Sequence, residues 1–146
     1  MPEMPETSST ASVADLVRIV LVETTHPGNI GAAARAMHTM GLSQLTCVNA
    51  VSPVLPAALA RSAGSEEILR AARCVDTLEE ALQGCVWVLG TSARSRHLDW
   101  PLFPPRDAMA ELHERAQQGP VAIVFGGEQS GLSNQHLQRC HAHVCI

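Results

Sequence analysis

The chain of 146 residues is long enough for one domain with a continuous core, and 46% hydrophobic against 16% charged residues excludes a disordered or low-complexity protein. Ten basic against 14 acidic residues give a net charge of −4, so no global field draws in a polyanion and any nucleic-acid contact has to be a local patch. The five cysteines show no CxxC spacing, no apolar run reaches the roughly 18 residues of a membrane span, and no signal sequence is evident; the expectation is a reduced, cytoplasmic chain with no membrane contact.

Residues 1–14 mix Pro, Glu, Ser and Thr with few large apolar groups and read as a disordered tail, leaving residues 15–146 as the domain. Residues 17–23 form a nearly continuous apolar run and read as a central, parallel strand. It stops at Pro27-Gly28, after which Asn29 is placed to cap a helix over residues 30–40 with Ile30, Ala33, Ala34 and Met37 as its core stripe. Arg35 lies off that stripe. Gly31 and Ala32, four and three residues before it, clear bulk from the first turn, so Arg35 reads either as an anion contact near the helix N-terminus or as a solvated surface arginine. Gly41 ends the helix, and residues 45–48 make the second strand.

Residues 56–62 and 65–71 read as short helices, 74–75 as a short strand, and 78–82 as a helix with Thr77 and Glu80 spaced as a capping box. The strand at residues 86–90 runs into Thr91-Ser92-Ala93-Arg94-Ser95-Arg96-His97, where small hydroxyl residues offer a ligand floor beside the most basic cluster of the chain. Prolines 101, 104 and 105 delay the next helix to residues 106–117. Residues 121–125, five consecutive apolar positions, are a second strand buried on both faces, and they stop at Gly126-Gly127-Glu128. Gly131 closes this loop before Ser133-Asn134 cap a helix over residues 135–139. In Cys140-His141-Ala142-His143-Val144-Cys145, a strand sends alternate residues to opposite faces, so the four candidate ligands do not converge and no metal is expected.

Three stretches in order, Glu23 to Met37, Gly90 to Arg96 and Phe125 to Leu132, resemble the SPOUT superfamily of RNA methyltransferases. The match is to its TrmH-like branch, which methylates ribose 2′-oxygens, and within it to members acting at position 32 of the tRNA anticodon loop. The resemblance covers residues 17–146. It implies an α/β fold, a parallel sheet with helices on both faces and a C-terminal trefoil knot, although the family's third motif lies past the position of Ile146 and the sequence ends before it. It also implies S-adenosylmethionine as cofactor, tRNA as substrate and a homodimer with the site shared across the interface.

Residue by residue, Asn29 and Arg35 match the first motif and the catalytic position at the ribose. Thr91, Ser92, Ala93, Gly126 and Ile146 match cofactor contacts, Glu128 and Leu132 match the second motif and belong to the same cofactor site by holding its loop, and Arg94 and Arg96 match tRNA contacts. Methyl transfer to a hydroxyl is an in-line displacement whose demands are alignment and proton removal. No His–Asp or Lys–Glu pair in these motifs is a base. Arginine stays protonated, so Arg35 is expected to position the ribose phosphate. A non-catalytic RNA- or nucleotide-binding module is the alternative reading, permitted by the missing third motif. A dinucleotide-dependent oxidoreductase fails because no G-x-G-x-x-G follows the first strand.

Overall fold

The computed structural model describes residues 12–92, 102–128 and 131–145. In chain order these form β1 (Val17–Val22), α1 (Pro27–Thr39), β2 (Gln44–Val48), α2 (Pro56–Ser62), α3 (Glu66–Arg70), β3 (Arg73–Val75), α4 (Leu78–Ala81), β4 (Trp87–Ser92), β5 (Leu102–Phe103), α5 (Pro105–Ala116), β6 (Val121–Phe125), α6 (Asn134–Leu137) and β7 (Ala142–Cys145). The strands build one parallel sheet in the order β3-β2-β1-β6-β4-β7-β5. A parallel α/β sheet with helices on both faces is therefore what the chain forms.

Alternation along the central strands divides the core in two. Val17, Ile19 and Leu21 of β1 face α1, α2, α3 and α5 together with Leu45, Leu89, Val121 and Ile123. Val20 and Val22 face the opposite way, toward Leu78 of α4 and Leu137 of α6. Every described side chain of β1, β4 and β6 is buried except half-buried Arg18 and Phe125. Arg18 is accommodated because its Nη1 donates to the carbonyls of Ala81 (2.7 Å) and Gln83 (2.9 Å), at and just beyond the C-terminal end of α4, where carbonyls lack helical partners.

Several local readings need correction. Helix α1 begins at Pro27, three residues before the expected start, with His26 as its N-cap. Proline suits the first helical position because the N–H it lacks would have no helical partner there, so Asn29 sits inside the first turn and does not cap it. Gly31 is not open ground for a phosphate: a Cβ there would lie 2.1 Å from the Ala58 carbonyl oxygen, so its small size lets α2 pack against α1. Strand β4 continues through Thr91 and Ser92, which are buried, and β5 is a two-residue strand that periodicity cannot reveal. A 3-10 turn at Val13–Leu16 packs Val13, within the span read as tail, and Leu16, just after it, against the core. The capping box is as expected: Thr77 Oγ1 accepts from Glu80 N–H, and Glu80 Oε1 accepts from Thr77 N–H, both at 3.2 Å.

Candidate functional site

All strands are parallel, so β1, β6, β4 and β7, four neighbours in the sheet, present their carboxyl ends along one edge. That juxtaposition brings together stretches about 70 and 100 residues apart in sequence. The chain leaves β1 for α1 on one face and leaves β6 for α6 on the other. The boundary between β1 and β6 is thus a topological switch point, the place where open α/β sheets leave a crevice.

A carboxylate fastens the two loops at that boundary. Glu128 Oε1 accepts from the Thr25 N–H (3.1 Å) and the Thr25 hydroxyl (3.2 Å), and Oε2 accepts from the His26 N–H (3.1 Å) and Asn29 Nδ2 (2.9 Å). A carboxylate offers about four lone-pair positions, and four donors take them. Local desolvation works to raise the Glu128 pKa, but the hydrogen bonds from Asn29, Thr25 and His26, with its own backbone N–H nearby, outweigh it and hold the carboxyl at about 2. Glu128 is an ionised clasp and not a proton acceptor.

The backbone reinforces the clasp. Glu23 ends β1 in the left-handed region (φ 59°), an uncommon state for a residue with a side chain, and its carbonyl oxygen would lie 2.8 Å from a Cβ placed on Gly127. Gly126 is closer still to its own loop, since a Cβ there would meet the Gly131 carbonyl carbon at 2.1 Å and the Leu132 nitrogen at 2.2 Å. The loop folds on itself through the Gly127–Gly131 bridge, and fully buried Leu132 anchors its far end in the core beside Val124 and Leu137. Glu128 and Leu132 serve this loop from within.

Beside the clasp opens a groove of about 460 Å³, a size that suits a small ligand. Its walls are apolar, among them Leu21, Ala33, Met37, Ile123 and Phe125, and its polar members are Thr24, Asn29, Thr91 and Glu128, with Gly126 beside them. Thr91 donates its hydroxyl to the Val124 carbonyl (3.0 Å), tying β4 to β6 where their ends diverge. Ser92 is buried in the last position of β4.

Of the residues singled out from sequence, Asn29, Thr91, Gly126 and Glu128 thus meet around one groove. Arg35 is exposed on α1 and lies outside the groove lining. Ala93, Arg94, Arg96 and Ile146 lie outside the described residues. Two of the suspected metal ligands are engaged within the protein: His141 Nδ1 accepts from the Val88 N–H (2.9 Å), and buried His143 contacts the Leu137 carbonyl through Nε2 (3.1 Å). Among the described residues no group of three or more His, Cys, Asp or Glu is placed to hold a metal. Glu23 and Thr25 also form the site, and their only local sequence signal is a position just after a buried strand.

A wholly parallel α/β sheet with a glycine-built loop and an apolar groove at its switch point defines a protein that takes a ligand at its strand ends. The chain belongs to the SpoU rRNA methylase family, whose profile matches residues 16–146. It is 56% identical over 90 residues to the tRNA (cytidine/uridine/adenosine-2′-O-)-methyltransferase TrmJ of Pseudomonas aeruginosa, covering 61% of this chain and 35% of that protein. It is 52% identical over 89 residues to the tRNA (cytidine/uridine-2′-O-)-methyltransferase TrmJ of Yersinia pestis, with the same coverage. The chain therefore spans about a third of the length of these relatives. Among solved structures it resembles a probable methylase family protein of Haemophilus influenzae (TM-score 0.85, 48% identity, 93% of this chain and 56% of that one). It also resembles TrmJ of Z. mobilis (TM-score 0.81, 33% identity, 88% and 57%).

Proposed function

We propose that the protein is a cytoplasmic methyltransferase that moves the methyl group of S-adenosylmethionine to a ribose 2′-oxygen of tRNA, at cytidine or uridine in position 32 of the anticodon loop. The observation that carries this reading is the Glu128 clasp, which joins the first-motif turn to the second-motif loop beside the groove. Family membership and the TrmJ relatives support the reaction class and the kind of RNA.

S-adenosylmethionine fits what the strand ends offer. The apolar walls suit a nucleoside, and the glycines at 126 and 127 let the loop beside it close on itself and on the end of β1, since a Cβ on either would meet protein backbone. Gly126, Thr91 and Ser92 would hold it, with Ala93 and Ile146 as further contacts by resemblance. When bound, the cofactor supplies an electrophilic methyl carbon on a sulfonium. The protein's own task is then to orient the ribose, exclude water and stabilise charge, because an in-line displacement is governed by alignment. Asn29 stands at the groove. Arg35, a residue type that pairs with phosphate through a planar fork, is assigned to the ribose phosphate.

The tRNA contact is assigned to Arg94 and Arg96. A chain of net charge −4 meets a polyanion through a patch, so the Arg94→Ala, Arg96→Ala double variant is expected to lower the slope of log affinity against log salt by about two while cofactor affinity is kept. Filter binding across a salt series reads this directly, and an unchanged slope removes the two arginines from the interface. A homodimer, expected from the resemblance, accords with the exposed apolar side chains of Met40 and Met109.

A further inference from the structure

The amide of Asn29 is held in one orientation. Its Nδ2 donates to Glu128 Oε2 at 2.9 Å, and an ionised carboxylate only accepts, so the group facing it has to be the NH₂ and the amide oxygen occupies the opposite branch. Glu128 stays ionised at every pH of interest because its pKa is held at about 2. Asn29 also lines the groove, and its Oδ1 has no partner among the described residues.

The other polar side chains of that groove are committed differently. The acceptor positions of Glu128 are taken by Thr25, His26 and Asn29; the Thr91 hydroxyl gives its proton to Val124 and keeps its lone pairs, but Thr91 is buried. Thr24 is buried. Among the described residues of the groove, Asn29 Oδ1 is the exposed side-chain acceptor left unspent. A hydroxyl about to be alkylated has one proton to donate and needs its remaining lone pairs free toward the incoming carbon. A neutral acceptor on its proton orients those lone pairs before transfer; the proton itself then leaves to water or the neighbouring phosphate, because an amide oxygen is too weak a base to keep it.

We propose that Asn29 Oδ1 accepts a hydrogen bond from the ribose 2′-hydroxyl that becomes methylated, and that Glu128 is the positioning residue that turns the amide oxygen toward it. The proposal rests on the functional reading above and adds to it the polarity of the contact. The site recognises a donor at the 2′ position, and ribose is distinguished from deoxyribose there by one neutral hydrogen bond.

The test uses an anticodon stem-loop RNA carrying, at the target nucleotide alone, a 2′-hydroxyl, 2′-hydrogen, 2′-fluorine or 2′-amino group. In the wild-type protein the hydroxyl and amino forms, which donate, are expected to bind about three- to tenfold more tightly than the hydrogen and fluorine forms, which do not. In Asn29→Ala this preference is expected to vanish, with cofactor affinity kept. In Glu128→Gln, whose own amide lets the Asn29 amide turn, it is expected to shrink. Equal binding of the four RNAs by the wild-type protein, tight binding of the fluorine form, or an undiminished preference in Asn29→Ala overturns the proposal. The wild-type comparison needs no variant to fold. Failure of the hydroxyl RNA to be bound and methylated at all overturns the functional reading instead, so the two failures are distinguishable.

Discussion

Glu128→Ala is expected to lower methylation on the order of 10²-fold while leaving the sheet folded. Glu128 is exposed, and no part of the core depends on its side chain. What depends on it is the relation between two loops, because its carboxylate is the single acceptor for Thr25, His26 and Asn29. Without it the loop from Gly126 to Gly131 keeps its glycine contacts but loses its register against the β1–α1 turn, and a misplacement near 1 Å at a reacting centre costs about that factor. Glu128→Gln should recover only part of the loss, since a neutral amide offers one accepting atom where the carboxylate offers two. The pH dependence follows from the lowered pKa. A carboxylate whose folded pKa lies below its usual 4.5 adds stability that is fully present above that value and is lost as pH falls through about 2. The Glu128 clasp therefore adds no inflection to an activity profile measured between neutral and mildly acid pH. Single-turnover methylation with thermal melting in parallel separates loss of register from loss of fold. Wild-type rates in Glu128→Ala would contradict the role given to it.

Arg35→Ala should show the larger loss, on the order of 10²–10³ in rate, the cost of removing one group that orients and stabilises the reacting centre. Arg35→Lys should be nearly as poor, because an ammonium does not reproduce the planar two-pronged contact with a phosphate. Arg35 is exposed on α1, and its side chain contributes to neither core cluster, so neither change should disturb folding. Cofactor affinity should survive both, since the proposed cofactor contacts lie at the ends of β4 and β6. The measurement is methylation at saturating tRNA and cofactor, with cofactor affinity from calorimetry. Near-normal turnover in Arg35→Ala would leave Arg35 a surface residue.

Much of this architecture is legible in the sequence because local rules act on it undisturbed. Val121–Phe125 is apolar on both faces and Val17–Val22 is so apart from Arg18, a pattern that suits central parallel strands, and helix Pro56–Ser62 has the bounds read from sequence. The order of the strands is not legible, since nothing local places β6 between β1 and β4. The same holds for the Glu128–Asn29 contact, which joins residues 99 apart in sequence. Asn29 shows how a local rule is displaced: an asparagine after Pro-Gly reads as a cap, but proline takes the first helical position and a carboxylate from a distant loop claims the amide. Gly31 misleads in the opposite direction, because a glycine that looks like room for a ligand is filled by the backbone of α2.

Mass mapping of ribose methylation in total tRNA from cells with the gene, without it, and with it restored tests the proposed activity most directly. A 2′-O-methyl group at cytidine or uridine 32 is expected to disappear on deletion and to return on complementation, but not with Arg35→Ala. An unchanged methylation map on deletion, with the purified protein binding RNA and not S-adenosylmethionine, would contradict it and identify a binding module in place of an enzyme.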